Sequence, residues 1–257
     1  MANKHDRAEY INNIIKSQSI CRRWLSSKKN IYMINKKFRA LQLKFTKVIN
    51  GYHIINTAPI NGCIWEPMNC EIVRDVCSIA DEANGNHVSG KDNRFDNIDY
   101  SNKTCKLENN ICRLSSYRLT KVCNKKNIGE SQEILNEIEK RDGSFDHYSI
   151  LLRDEKENQV IEYIWYIIPK DYHIFKIDKL VPKLGKDNKN RGQIIGWESK
   201  VCSITFSMSS QLWFQFDIKD IEKYKVCFTT VDNSKSKVNF SQIYDIFDVF
   251  NNVFNNI

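Results

Sequence analysis

Two apolar segments, HYSILLRD (147–154) and QVIEYIWYIIP (159–169), flank the polar stretch Glu155–Asn158 and constrain the fold more than any other feature of the chain. Runs rich in β-branched and aromatic residues on either side of a short polar break read as a β-hairpin. The aromatic strip Tyr163–Tyr166 then belongs to a core and not to a stacking surface. The longest apolar run, Val160–Ile168, carries Glu162 and stops at Pro169, too short to cross a bilayer.

Other elements are placed around this hairpin by periodicity. Tyr10, Ile11, Ile14, Ile15 and Leu25 predict a helix over 6–25 that starts near Asp6. Leu41, Leu43 and Phe45 alternate with Gln42 and Lys44, which predicts a strand within 38–49. Pro67 opens an expected helix over Met68–Ala83, stopped by Asn84-Gly85. Strands are expected at Tyr100–Leu107 and Ile111–Leu119, a short helix at 130–141, an exposed basic loop at 183–192 and one or two strands within 201–216. The tail places Phe247, Phe250 and Phe254 at helical spacing. No internal repeat is present. The order predicts an α/β (α+β) fold, a central mixed β-sheet flanked by helices. It divides into a basic N-terminal region, 1–66, packed on or appended to a core domain, 67–257.

A chain of 257 residues, 41% apolar and 11% aromatic, has the material for such a core. Its nine cysteines are scattered without a C-x-x-C pair, so they are read as small core residues in a reducing compartment. The N-terminus lacks an apolar secretory region, and a cytoplasmic location is expected. The formal net charge is +8, and it is unevenly spread. From Tyr10 to Trp65 there is no Asp or Glu, against ten Lys and Arg residues. A one-sided field of this kind favours a polyanion, since each neutralised phosphate releases counterions.

The stretch HVSGKDNRFDNIDYSNKTCK (87–106) concentrates the charged chemistry. Gly85 to Lys91 fits G-x-x-x-x-G-K, but Asp92 stands where a phosphate loop needs Ser or Thr. The strand and helix that such a loop joins are also not expected around it. His87, alone in a turn, is read as structural. A turn at Asp96-Asn97 would return Asp92 beside Ser101 and Lys103. On a strand Asp99, Ser101 and Lys103 share one face, and Asn102, Thr104 and Lys106 the other. A carboxylate that holds a divalent cation beside a lysine is what phosphodiester hydrolysis requires. A charged surface hairpin is the plainer alternative.

Gly90-x-Asp92 followed by Ser101-Asn102-Lys103-Thr104 resembles the core of the PD-(D/E)xK nuclease superfamily, above all type II restriction endonucleases. Ile111–Arg118 is similar to the segment that follows the catalytic strand in such enzymes. The resemblance implies a restriction-endonuclease-like fold, Mg²⁺ as cofactor, Asp92 as first metal ligand and Lys103 as the lysine that assists the attacking water. Ser101 stands where the family usually has an acid, so a second carboxylate would come from Asp99, Glu71 or Glu82. Arg113, Ser115, Ser116, Tyr117 and Arg118, with Lys106 and Gln211, are the expected DNA contacts. The implied activity is site-specific cleavage of double-stranded DNA by a homodimer. The alternatives are a catalytically silent DNA-binding protein, for which Ser101 argues, and an RNA-binding factor, for which exposed aromatics are wanting.

Overall fold

The computed structural model describes residues 28–74, 76, 80–82, 90–206 and 209–233. The helix expected over 6–25, the phenylalanine-bearing tail, Asn84-Gly85 and His87 lie outside them. Among the described residues the elements run α1 (Lys28–Ile55), α2 (Gly62–Arg74), β1 (Ala80–Glu82), β2 (Asn93–Phe95), β3 (Ile98–Glu108), β4 (Ile111–Arg118), α3 (Ser131–Asp142), β5 (His147–Glu155), β6 (Val160–Pro169), β7 (Val181–Leu184), β8 (Ile194–Glu198), β9 (Cys202–Thr205), β10 (Gln211–Asp217) and β11 (Lys225–Asp232). The protein is a mixed α/β structure around one large sheet. The strand order is β11-β6-β5-β3-β4-β10-β9-β8-β7, with β2 added to β3 and β1 to β2. β3 and β5 run parallel; the other pairs are antiparallel.

The hairpin that opened the sequence reading is β5–β6, paired from His147↔Pro169 to Glu155↔Ile161. Its apolar residues feed two cores, one on each face of the sheet. Tyr148, Ile150 and Leu152 join Ile134 and Ile138 of α3, while Leu151, Tyr163 and Trp165 join Phe45 of α1 and Trp65 of α2. The sheet is therefore covered by α3 on one face and by α1 and α2 on the other. Six of the seven described cysteines are buried and unbridged, as small core residues; Cys63 is exposed.

Two expected elements are corrected. Residues 38–49 are helical, inside α1. Leu41, Phe45, Val48, Ile49 and Tyr52 pack together at helical spacing, whereas Leu43, half of the apparent alternation, is 72% exposed. The second helix starts earlier than Pro67 and ends sooner than Ala83. Asn61 caps it, its carbonyl accepting from the Ile64 and Trp65 amides at 3.1 and 2.9 Å and its side chain from Ile64 at 3.2 Å. Ala80–Glu82 is strand, not helix. The boundary drawn at residue 66 thus falls within α2. In the expected basic loop, Lys183 and Leu184 belong to β7, and Gly185 bridges to Arg191 across the remainder.

Candidate functional site

β3 is long enough to pair twice along the same edge. Its first residues, Ile98–Tyr100, pair with β2, and its last, Cys105–Glu108, with β4. Residues 101–104 are left between them with no strand on that side, although β5 pairs along the other. An unpaired backbone donor in such a notch is costly when buried. Asp92, just before β2, fills it: its Oδ2 accepts from the Asn102 amide at 2.5 Å. The same oxygen accepts from Ser101 Oγ at 3.2 Å and from Lys103 Nζ at 3.3 Å. Lys103 Nζ also donates to Ser101 Oγ at 2.7 Å and to the Asn102 carbonyl at 2.9 Å.

The local sequence explains why the cluster forms. Asp96 and Asn97, at φ 49° and 63°, make the two-residue turn between β2 and β3. Asp and Asn tolerate that left-handed backbone and suit hairpins of this type. The turn fixes the register Asn93↔Tyr100, so Asp92 comes back opposite Ser101, its amide bonded to the Tyr100 carbonyl at 2.8 Å. Ser101 is fully buried, while the side chains of Asp92 and Lys103 keep 20% and 16% exposure. Among the described residues Asp92 Oδ1 has no hydrogen-bond partner, so one carboxylate oxygen remains open at the edge of the notch.

Two of the expected second acids, Asp99 and Glu71, are paired with cations of their own. Asp99 Oδ1 lies 2.8 Å from Lys91 Nζ and 3.3 Å from Arg94 Nε, already between two cations. Glu71 sits on α2, on the other face of the sheet, 3.0 Å from Lys44 Nζ and 3.2 Å from an Arg74 guanidinium nitrogen. Glu82 pairs backbone to backbone with Asn93, one strand over from the residue that follows Asp92; its side chain is outside the described residues. Among the described residues no three His, Cys, Asp or Glu side chains are arranged to hold one metal ion.

The expected DNA contacts scatter. Lys106 and Arg113 are cross-strand partners on the face away from Lys103, and Lys106 lies 3.4 Å from both Glu108 and Glu155. That face also carries Glu108, Glu198 and Asp217, so its charges largely balance. Ser115 is half-buried, as is Ser116. Gln211 donates to the Ser116 carbonyl at 2.7 Å, and Arg118 is exposed at the end of β4. Tyr117 is corrected: it is buried. A bulge opposite Leu212, where Trp213 pairs with Ser115 but Gln211 with Arg118, reverses the alternation of β4 and turns the ring inward. The basic helix α1 also packs across the sheet from Asp92, with Arg39 and Lys47 exposed on it.

Tyr117 leads to a group that the sequence did not single out. Its hydroxyl donates to Asp142 Oδ1 at 2.6 Å and lies 3.4 Å from the Tyr148 hydroxyl. Tyr148 is the β5 partner of Ser101, and a Cβ on Gly90 would stand 3.2 Å from the Tyr117 ring. The Tyr117–Asp142–Tyr148 cluster thus borders the notch beside the segment that carries Asp92. Burial raises the Asp142 carboxyl above its ordinary value, against the Tyr117 hydrogen bond and the Lys170 charge, which lower it. Burial likewise raises both tyrosine hydroxyls. An acid at the end of an amphipathic helix was the only sequence signal, and it is shared with many surface helices.

No protein-family model, curated protein or solved structure matches this chain. No helix among the described residues is long and apolar enough to cross a membrane.

Proposed function

We propose that the protein is a Mg²⁺-dependent endonuclease that cleaves double-stranded DNA at a specific site, with a restriction-endonuclease-like fold and a homodimeric assembly. The observation that carries the reading is the convergence of Asp92, Ser101 and Lys103 in a notch of an otherwise paired strand. The three residues singled out by sequence are in mutual hydrogen-bond contact, and one oxygen of Asp92 is left open. Mg²⁺ keeps several waters and is commonly held by one or two carboxylates plus substrate phosphate, so Asp92 Oδ1 fits as its protein ligand. When bound, the ion would polarise the phosphate and lower the pKa of the attacking water. Lys103 would hold its ammonium where negative charge develops, and Ser101 would position it. A duplex at the notch would meet Lys91 and Arg94 more readily than Lys106 and Arg113.

One observation favours the silent DNA-binding alternative. Lys103 directs three contacts inward, to Asp92, Ser101 and the Asn102 carbonyl, and the carboxylates of Asp99 and Glu71 are each taken up by cations of their own. Incubation of the protein with a long duplex, in Mg²⁺ or EDTA, separates the readings. Discrete fragments that require Mg²⁺ and vanish in Asp92→Asn and Lys103→Met are expected. Intact DNA that is retarded on a gel, with a steep salt dependence, would establish the binding protein instead.

A further inference from the structure

On the face of the sheet away from Asp92, a cavity of about 330 Å³ lies between the middle of α1, the end of α2, the β2–β3 hairpin and the start of β11. Its inner wall is apolar and largely aromatic. Val73, Phe95, Tyr100 and Trp165 line it and are themselves buried, with the Phe95 and Tyr100 rings stacked 3.7 Å apart. Its mouth is different. Lys37, Lys223 and Lys225 stand there, and among the described lining residues the one acid is Asp96. Phe38, 45% exposed, forms an apolar lip.

We propose that this cavity is a binding site for a small amphipathic anion, an apolar or aromatic body that ends in one acidic group. Water would find few polar partners against such a wall, so a chain of methylenes or a flat ring gains by replacing it. The volume is at the lower end of small-molecule sites, about 300–1,000 Å³, and such sites combine an apolar lining with a few placed charges. The ligand's charge follows from the mouth. Lys37 is paired with Asp96 at 3.8 Å and Lys225 with the exposed Glu222 at 3.2 Å, so the charge that remains over is that of Lys223. Lys223 is held over the rings of Tyr172 and Tyr224, at 4.6 and 5.0 Å, by contacts that cancel none of its charge. The mouth therefore attracts a carboxylate, sulfonate or phosphate and repels a cation. The site is independent of the cleavage reading.

The test uses the full chain and two probes, anilinonaphthalene sulfonate by fluorescence and decanoate as its competitor. One saturable probe site per chain is expected, with decanoate displacing the probe and decanol doing so about tenfold less well, the loss expected for one hydrogen bond to a charged group. Val73→Trp, which fills the cavity from its buried wall, should abolish binding at unchanged circular dichroism. Should that variant fail to fold, Leu41→Trp at the half-buried wall is measured in its place. The surface pair Lys223→Glu and Lys225→Glu should weaken probe and decanoate together. Undiminished binding in the filled-cavity variant overturns the site. Equal competition by decanol, or indifference to the lysine pair, overturns the assignment of an anion.

Discussion

Asp92 has a structural task that can be separated from any chemical one. In Asp92→Ala the Asn102 amide faces the notch with no acceptor, in a residue only 3% exposed. A buried donor without a partner costs about 1–3 kcal/mol. Ser101 Oγ, fully buried, keeps Lys103 as a donor but loses its acceptor, adding about 1 kcal/mol. The alanine variant should therefore lose about 2–4 kcal/mol of unfolding free energy, before any change in the Lys103 charge. Asp92→Asn keeps an amide oxygen for the same backbone donor and should lose only about 1 kcal/mol. Urea unfolding of the three proteins, followed by tryptophan fluorescence, measures both differences, and m should not change between them. Equal midpoints for the alanine and asparagine variants would refute the notch argument. So would an alanine variant as stable as the parent.

Three further outcomes are expected. Tyr117→Phe leaves Asp142 Oδ1 without its 2.6 Å donor and should cost about 1–3 kcal/mol in the same urea assay. Asp142→Asn tests the sign of a pH effect. The folded protein holds that proton to higher pH than the unfolded chain, whose carboxyl titrates near its ordinary value of 3.8. The carboxyl's contribution to stability is greatest below that value, declines as pH rises through the folded pKa and is constant above it. Thermal melts across acid to neutral pH should thus show Asp142→Asn gaining on the parent as pH rises; a gap that narrows would contradict the assignment. Gly196→Ala would place a Cβ 2.0 Å from the Ile204 carbonyl oxygen across the β8–β9 pair. It should cost more than about 3 kcal/mol, seen as loss of cooperative unfolding at ambient temperature.

The parts of the fold that were legible in the sequence are those fixed locally. β5–β6, β3–β4 and α3 each announce themselves by one period and one break, and Asp96-Asn97 announces the turn that brings Asp92 back to Ser101. α1 was misread because Leu43, which completed an alternation with Leu41 and Phe45, faces solvent. Three residues of a pattern cannot separate a period of 2 from one of 3.6 when one of them is incidental. The start of α2 was hidden because Pro67 suggested a first helical turn, while the cap that matters is Asn61. The inward turn of Tyr117 depends on a bulge opposite Leu212, a property of strand pairing with no signature in β4 itself. Asp142 and the notch between β2 and β4 arise only once distant segments meet.

The three donors to Asp92 come from residues nine, ten and eleven positions later in the chain. The parallel pairing that flanks them joins Tyr100 to His147, across β4 and α3. Closing a loop of about ten residues takes on the order of 10–100 ns, whereas long-range parallel pairing is among the slow events of folding. The polar cluster therefore has a timetable of its own. It can close while the chain beyond residue 103 is still being made or is still searching for its place, and β5 docks against a side already formed.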